Sequence, residues 1–133
     1  MNEHHAGSCL CGAVKFVVEG TFDRFYLCHC SHCRKDTGSA HAANLFSSAA
    51  SLPWISGQDK VVEFQLPKTR HRRCFCSVCG SALPCKADRL LVVPAGCLDT
   101  TVSRRPDAHL FHGSRAAWDR QLESIPVFDG FPA

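Results

Sequence analysis

Residues 74–80 read Cys-Phe-Cys-Ser-Val-Cys-Gly, and residues 28–33 read Cys-His-Cys-Ser-His-Cys. Each holds the spacing C-x-C-x2-C, and Cys9-Leu10-Cys11 adds a shorter third group. Zinc prefers four ligands in a tetrahedron and binds thiolates well. A Cys-x2-Cys pair in a tight turn turns both sulfurs and nearby backbone amides toward one ion. Gly80 supplies the positive φ that such a turn calls for. In an extended chain the side-chain period is two, so Cys-x-Cys puts both sulfurs on one side. Cys9 and Cys11 together with Cys76 and Cys79 therefore complete one closed, structural four-thiolate zinc site. It staples the N-terminal segment to the middle of the chain.

Cys28, Cys30 and Cys33 remain, three thiolates within six residues. Three protein ligands and an open fourth position mark a catalytic or ligand-binding zinc. Spacing leaves a rival open, in which Cys74 is the fourth ligand and closes this site too. Cys85 and Cys97 stand alone and read as small buried hydrophobes. His29 and His32 lie between the thiolates and read as exposed or as supports to the ligands rather than ligands. His4 and His5 read as a loose terminus. His109 and His112, on a strand, would point opposite ways.

Around these groups the chain is ordinary. Its 133 residues suit one domain, 1–133, with 45% hydrophobic and 20% charged residues and a formal charge of +3. The densest basic run, Lys68-Thr69-Arg70-His71-Arg72-Arg73, is too short for a nucleic-acid stripe and suits a small anionic ligand at most. No apolar stretch is long enough to span a bilayer, and the first residues lack a secretory pattern. A cytoplasmic, reducing location is the default, which favours metal binding over a disulfide framework for ten cysteines. Short β-prone runs at 13–19, 25–27, 41–46, 61–66 and 90–93 alternate with Gly and Pro punctuation. Helix signals are confined to a turn or two over Cys33–Thr37, before Gly38. The expectation is a mainly β domain with short helical turns.

These motifs resemble the glutathione-dependent formaldehyde-activating (GFA) family, which includes centromere protein V. Gly7-Ser8-Cys9-Leu10-Cys11-Gly12 is similar to its G-x-C-x-C-G start. Cys28–Lys35 with Thr37-Gly38-Ser39 resembles its CHC-x2-C-R-K-x-T-G-S segment, and Arg73–Ser81 its R-x-F-C-x2-C-G-S segment. Ala95-Gly96-Cys97-Leu98-Asp99 and Pro106-Asp107-Ala108-His109, with Trp118, match later motifs, so the resemblance spans about 7–118. It implies a β-tent type zinc domain with two zincs per chain. Cys9, Cys11, Cys76 and Cys79 would hold the structural ion, and Cys28, Cys30 and Cys33 the one beside the active site. An exposed three-thiolate site is prone to lose zinc or oxidise, so its occupancy can be partial. Cys74 departs from the family pattern.

The implied activity is that of a carbon–sulfur lyase or synthase acting on a glutathione adduct such as S-hydroxymethylglutathione. Its partner is a small-molecule thiol adduct, with neither nucleic acid nor membrane involved. Cys28, Cys30 and Cys33 would carry the catalytic site. His29 or His32 would supply the acid, and Arg34, Lys35 and the Arg70–Arg73 run would meet glutathione carboxylates. The alternative is a non-catalytic zinc domain that binds a protein partner or a glutathione conjugate. A relative of methionine sulfoxide reductases would need a redox-active cysteine outside the zinc sites.

Overall fold

The computed structural model describes residues 3–132. In chain order the strands are β1 (His4–Ser8), β2 (Lys15–Glu19), β3 (Arg24–Cys28), β4 (Ala42–Ser47), β5 (Trp54–Ser56), β6 (Val61–Gln65), β7 (Arg72–Cys76), β8 (Ala82–Leu83), β9 (Cys85–Ala87), β10 (Leu90–Pro94) and β11 (Ala108–Leu110). One α-helix among the described residues, α1 (Ser31–Thr37), follows β3, and four single 3-10 turns lie further along the chain. The protein is mainly β, as its alternating runs and turn residues imply. The strands form three sheets ordered β1-β2-β5, β11-β3-β4-β10-β9 and β6-β7-β8. All pairings are antiparallel except that of β11 with β3.

The core explains the strands. In β2 the alternation of Lys15-Phe16-Val17-Val18 buries Phe16 and Val18 on one face. Phe16 meets Trp54 of β5 edge to face, with ring centroids 5.8 Å apart. In the five-stranded sheet Leu45 of β4 stands opposite Val93 of β10, and both are fully buried. Buried Leu83, Leu91, Cys9 and Cys76 join the same cluster, so the cysteine turns sit on the core rather than apart from it.

Two elements depart from expectation. His4 and His5 are not a loose end but part of β1, which pairs with β2 from His4 opposite Glu19 to Ser8 opposite Lys15. His5 is buried, and its Nδ1 lies 2.9 Å from the Thr100 hydroxyl. The strand owes its place to hydrogen bonds from β2 and not to any apolar alternation of its own. α1 starts two residues before the expected turn, because the Cys30 sulfur caps it by accepting the Cys33 N–H at 3.4 Å. It closes at Gly38, whose N–H bonds the Arg34 carbonyl.

Pro84 governs the middle of the chain. It has no N–H to give a ladder, so it separates β8, paired with β7, from β9, paired with β10. The chain crosses there from one sheet to another. Two hairpin turns lie close by: 66–71, between β6 and β7, and Asp88-Arg89, between β9 and β10. No helix among the described residues is long and apolar enough to cross a membrane.

Candidate functional site

The ligand atoms of Cys9, Cys11, Cys76 and Cys79 all lie within 4.8 Å of one another. The turn after β1 carries the first pair, with sulfurs 3.6 Å apart. The turn after β7 carries the second. Backbone N–H groups point at the sulfurs: Val14 donates to Cys9 Sγ at 3.2 Å and Val78 to Cys76 Sγ at 3.4 Å. Such donors favour thiolates. Gly12 and Gly80 follow the two pairs with φ of 80° and 76°, the left-handed conformation that lets each turn close over its sulfurs. Ser81 ties the turns together, its hydroxyl accepting the Leu10 N–H at 3.0 Å and meeting Cys79 Sγ at 3.3 Å. The Ser81 hydroxyl and then its N–H hold the Cys79 thiol down to about 5. Four converging sulfurs with amide donors fit a thiophilic divalent cation.

A second group joins Cys28 at the end of β3, Cys30 at the cap of α1 and Cys33 in its first turn, again within 4.8 Å. Burial pushes the Cys33 thiol well up. Burial also acts against the Cys30 thiolate, but the Cys33 N–H and the neighbouring thiols outweigh it and hold Cys30 below its ordinary value. Three sulfurs of this kind can hold a metal ion.

Cys74 does not join that group. It forms a disulfide with Cys85, with Cα atoms 5.5 Å apart. The reading of Cys74 as fourth ligand and that of Cys85 as an isolated apolar residue are both corrected. The cause is the Pro84 crossing, which returns the chain beside β7. Cys97 stays unpaired, and burial raises its thiol to about 12.

The histidines were the least readable part of the sequence. His29 is only 2% exposed, with Nε2 2.8 Å from His109 Nδ1 and Nδ1 3.3 Å from the Asp119 carboxylate. Rings of His41 and His112 pack on it at 5.1 and 5.4 Å. Burial, then His41 and His109, keep it below its ordinary pKa. It therefore supports the Cys28–Cys30 turn from behind. His109 and His112 do not diverge, since β11 stops at Leu110 and Phe111, with φ of 53°, turns the chain back. Their rings lie 5.2 Å apart. The P-x2-H motif was the one signal that His109 has a fixed neighbour.

A cavity of about 950 Å³ lies among α1, β4 and β7–β10. Cys33 opens onto it, while His29 and His32 do not. Of the basic residues considered, Arg70, Arg72 and Arg73 line it and Arg34 and Lys35 do not. Arg89, from the β9–β10 turn, adds a fourth guanidinium that the sequence did not single out. Arg72 pairs with Glu63 at 3.3 Å, and Arg73 donates to the Gly80 carbonyl at 3.2 Å and packs on Phe75. Arg70 and Arg89 make no ion pair among the described residues. His71, missed as a site residue, lines the same wall with Nε2 held by the Asp36 carboxylate.

The chain is similar to known proteins. A Halomonas elongata protein named "Putative glutathione-dependent formaldehyde-activating enzyme" is 36% identical over 141 aligned positions, covering 95% of this chain and 87% of that protein. A crystal structure of a Rhodobacter sphaeroides protein is similar with a TM-score of 0.58 at 25% identity, over 78% of this chain and 98% of that one. The sequence profile described as "Glutathione-dependent formaldehyde-activating enzyme" matches residues 4–114, and with most of its length so matched the chain belongs to that family.

Proposed function

We propose that the cavity beside Cys28, Cys30 and Cys33 binds a glutathione adduct such as S-hydroxymethylglutathione and makes or breaks its carbon–sulfur bond. The observation that carries this reading is the opening of a three-thiolate group, through Cys33, onto an arginine-lined cavity. Two zinc ions per chain fit the two sulfur groups, one closed and structural, one with a free position. Zinc in the second group would supply positive charge that favours the thiolate form of a bound thiol.

The chain's own residues account for the rest. Arg70 and Arg89 make no ion pair among the described residues and suit the two glutathione carboxylates. Asp36 holds the His71 ring at Nε2, leaving Nδ1 to exchange a proton with the hydroxymethyl oxygen. In the lyase direction that oxygen gives up its proton, the carbon–oxygen bond becomes double, and the sulfur leaves with the carbon–sulfur electron pair. In synthesis the thiolate attacks the formaldehyde carbon and the oxygen takes a proton. His71 replaces His29 and His32 in this role, because neither of those reaches the cavity.

Thiols add to formaldehyde without help, so the decisive measurement is the exchange rate between glutathione, formaldehyde and their adduct, read by NMR exchange spectroscopy. Added protein is expected to raise that rate. Cys30→Ser is expected to remove the increase and one equivalent of zinc while leaving the circular dichroism spectrum intact. A Cys30→Ser protein that still accelerates exchange would overturn the reading.

A further inference from the structure

We infer that Cys74 and Cys85 form a second reactive centre in the same cavity, a thiol–disulfide exchange pair that takes electrons from a small anionic thiol and passes them to a small disulfide. Four observations carry this. The two sulfurs come from different sheets, β7 and β9, and are joined in a disulfide. Both residues are more than nine-tenths buried, yet both line the cavity, so the bond is shielded from bulk solvent and open toward the ligand space. Cys33 lines that cavity as well, so a thiol drawn there has the disulfide on another wall. Finally, Arg70, Arg72, Arg73 and Arg89 outnumber Asp36, Asp88 and the Glu63 carboxylate that pairs with Arg72, and the small positive excess attracts anionic thiols over cationic ones.

Shielding sets the substrate class. A cavity of about 950 Å³ accommodates a tripeptide-sized thiol, and the burial of both sulfurs favours such a small thiol over a folded protein's. The choice of glutathione rests on the reading of the cavity given above. Its thiolate attacks one sulfur of the pair, forming a mixed disulfide, and the other sulfur leaves as thiolate. A second glutathione thiolate attacks the glutathione sulfur of that mixed disulfide, releasing oxidised glutathione and the Cys74/Cys85 dithiol. The dithiol then reduces a small disulfide by the same two displacements and is itself reoxidised. Two thiols and one disulfide give oxidised glutathione and two new thiols, so electrons and protons balance.

A staple with no chemistry is the competing account, and a metal held by Glu63, Cys74 and Cys85, whose ligand atoms also lie within 4.8 Å, is another. The test uses the full chain with its zinc. Oxidation of glutathione by 2-hydroxyethyl disulfide is followed through glutathione reductase and its nicotinamide cofactor. Turnover is expected above the uncatalysed exchange, falling to that background in the Cys74→Ser/Cys85→Ser double variant and unchanged in Cys97→Ser. Peptide mass spectrometry of the single variants treated with oxidised glutathione should find glutathione on the one remaining sulfur of the pair.

The unmutated protein gives a readout that needs no variant. Equilibrated in glutathione buffers of varied redox ratio, the pair should pass from disulfide to dithiol. Absence of turnover, a pair that ignores the redox ratio, failure of both variants to trap glutathione, or loss of a zinc equivalent on Cys74→Ser would each overturn the inference. Cys30→Ser, which tests the adduct reaction, removes neither sulfur of the pair, so the two readings fail separately.

Discussion

Single residues set the local chemistry through their hydrogen bonds. Asp107 accepts the Phe25 N–H at 2.8 Å and pairs with Arg104 at 3.1 Å, and these hold its carboxyl below the ordinary value. Asp23 is held low by the Ser48 hydroxyl and by the Ser48 N–H, which it accepts at 2.8 Å. Both anchor the start of β3, which leads to Cys28. A carboxylate whose folded pKa is depressed stabilises the fold above its unfolded value, about 3.9. That contribution disappears as the pH falls through the folded value. Urea unfolding between pH ~5 and ~2 should therefore show stability falling with acid, and Asp107→Asn should flatten the fall. An unchanged slope in the variant would show that the bond to Phe25 carries no pH-linked stability. The cysteine spacing made the four-sulfur cluster legible at this scale. His29 and His71 were not legible, because their partners, His109 and Asp36, are 80 and 35 residues away.

Among the elements, the legible strands were β2, β3, β4, β6 and β10, whose Val, Leu and aromatic side chains form dense apolar runs. β1, β8 and β9 were not, for different physical reasons. β1 has a histidine and a glycine at its two buried positions, where apolar bulk would signal burial. β8 and β9 are two and three residues long, and only Pro84 divides them. The β4–β10 pair is the strongest test of the element packing. Leu45→Ala leaves a void opposite Val93 in a fully buried position and should cost about 2–5 kcal/mol. A urea midpoint within error of the parent protein would mean that the pair does not carry the core. Because β4 also lines the cavity, the same variant is expected to lower ligand affinity as well as stability.

The whole molecule is what brings the cavity into being. α1, one sheet containing β4, β9 and β10, and another containing β7 and β8 each supply part of its wall. No window of sequence contains that arrangement, and for this reason the basic run at 68–73 could be matched to a small anionic ligand but not placed in one cavity with Arg89. Arg70→Ala and Arg89→Ala are each expected to raise the KM for a glutathione adduct about 5–10-fold, with kcat little changed, as loss of charge-assisted binding predicts. The parent KM should rise with added salt, and the double variant should lose most of that dependence. A KM that ignores both substitutions would place the carboxylates elsewhere.

The rim of the cavity has a consequence for how such a protein can change over time. Arg70 and His71 come from the turn after β6, and Asp88 and Arg89 from the turn after β9. Hairpin tips accept insertions and substitutions at little thermodynamic cost. The four-sulfur cluster, in contrast, is fixed by the core residues around Cys9 and Cys76. Descendants of one ancestor could therefore trade substrates by lengthening or recharging two short loops, leaving the metal-binding frame untouched. Grafting those two loops between relatives is the smallest change that should carry ligand preference with it.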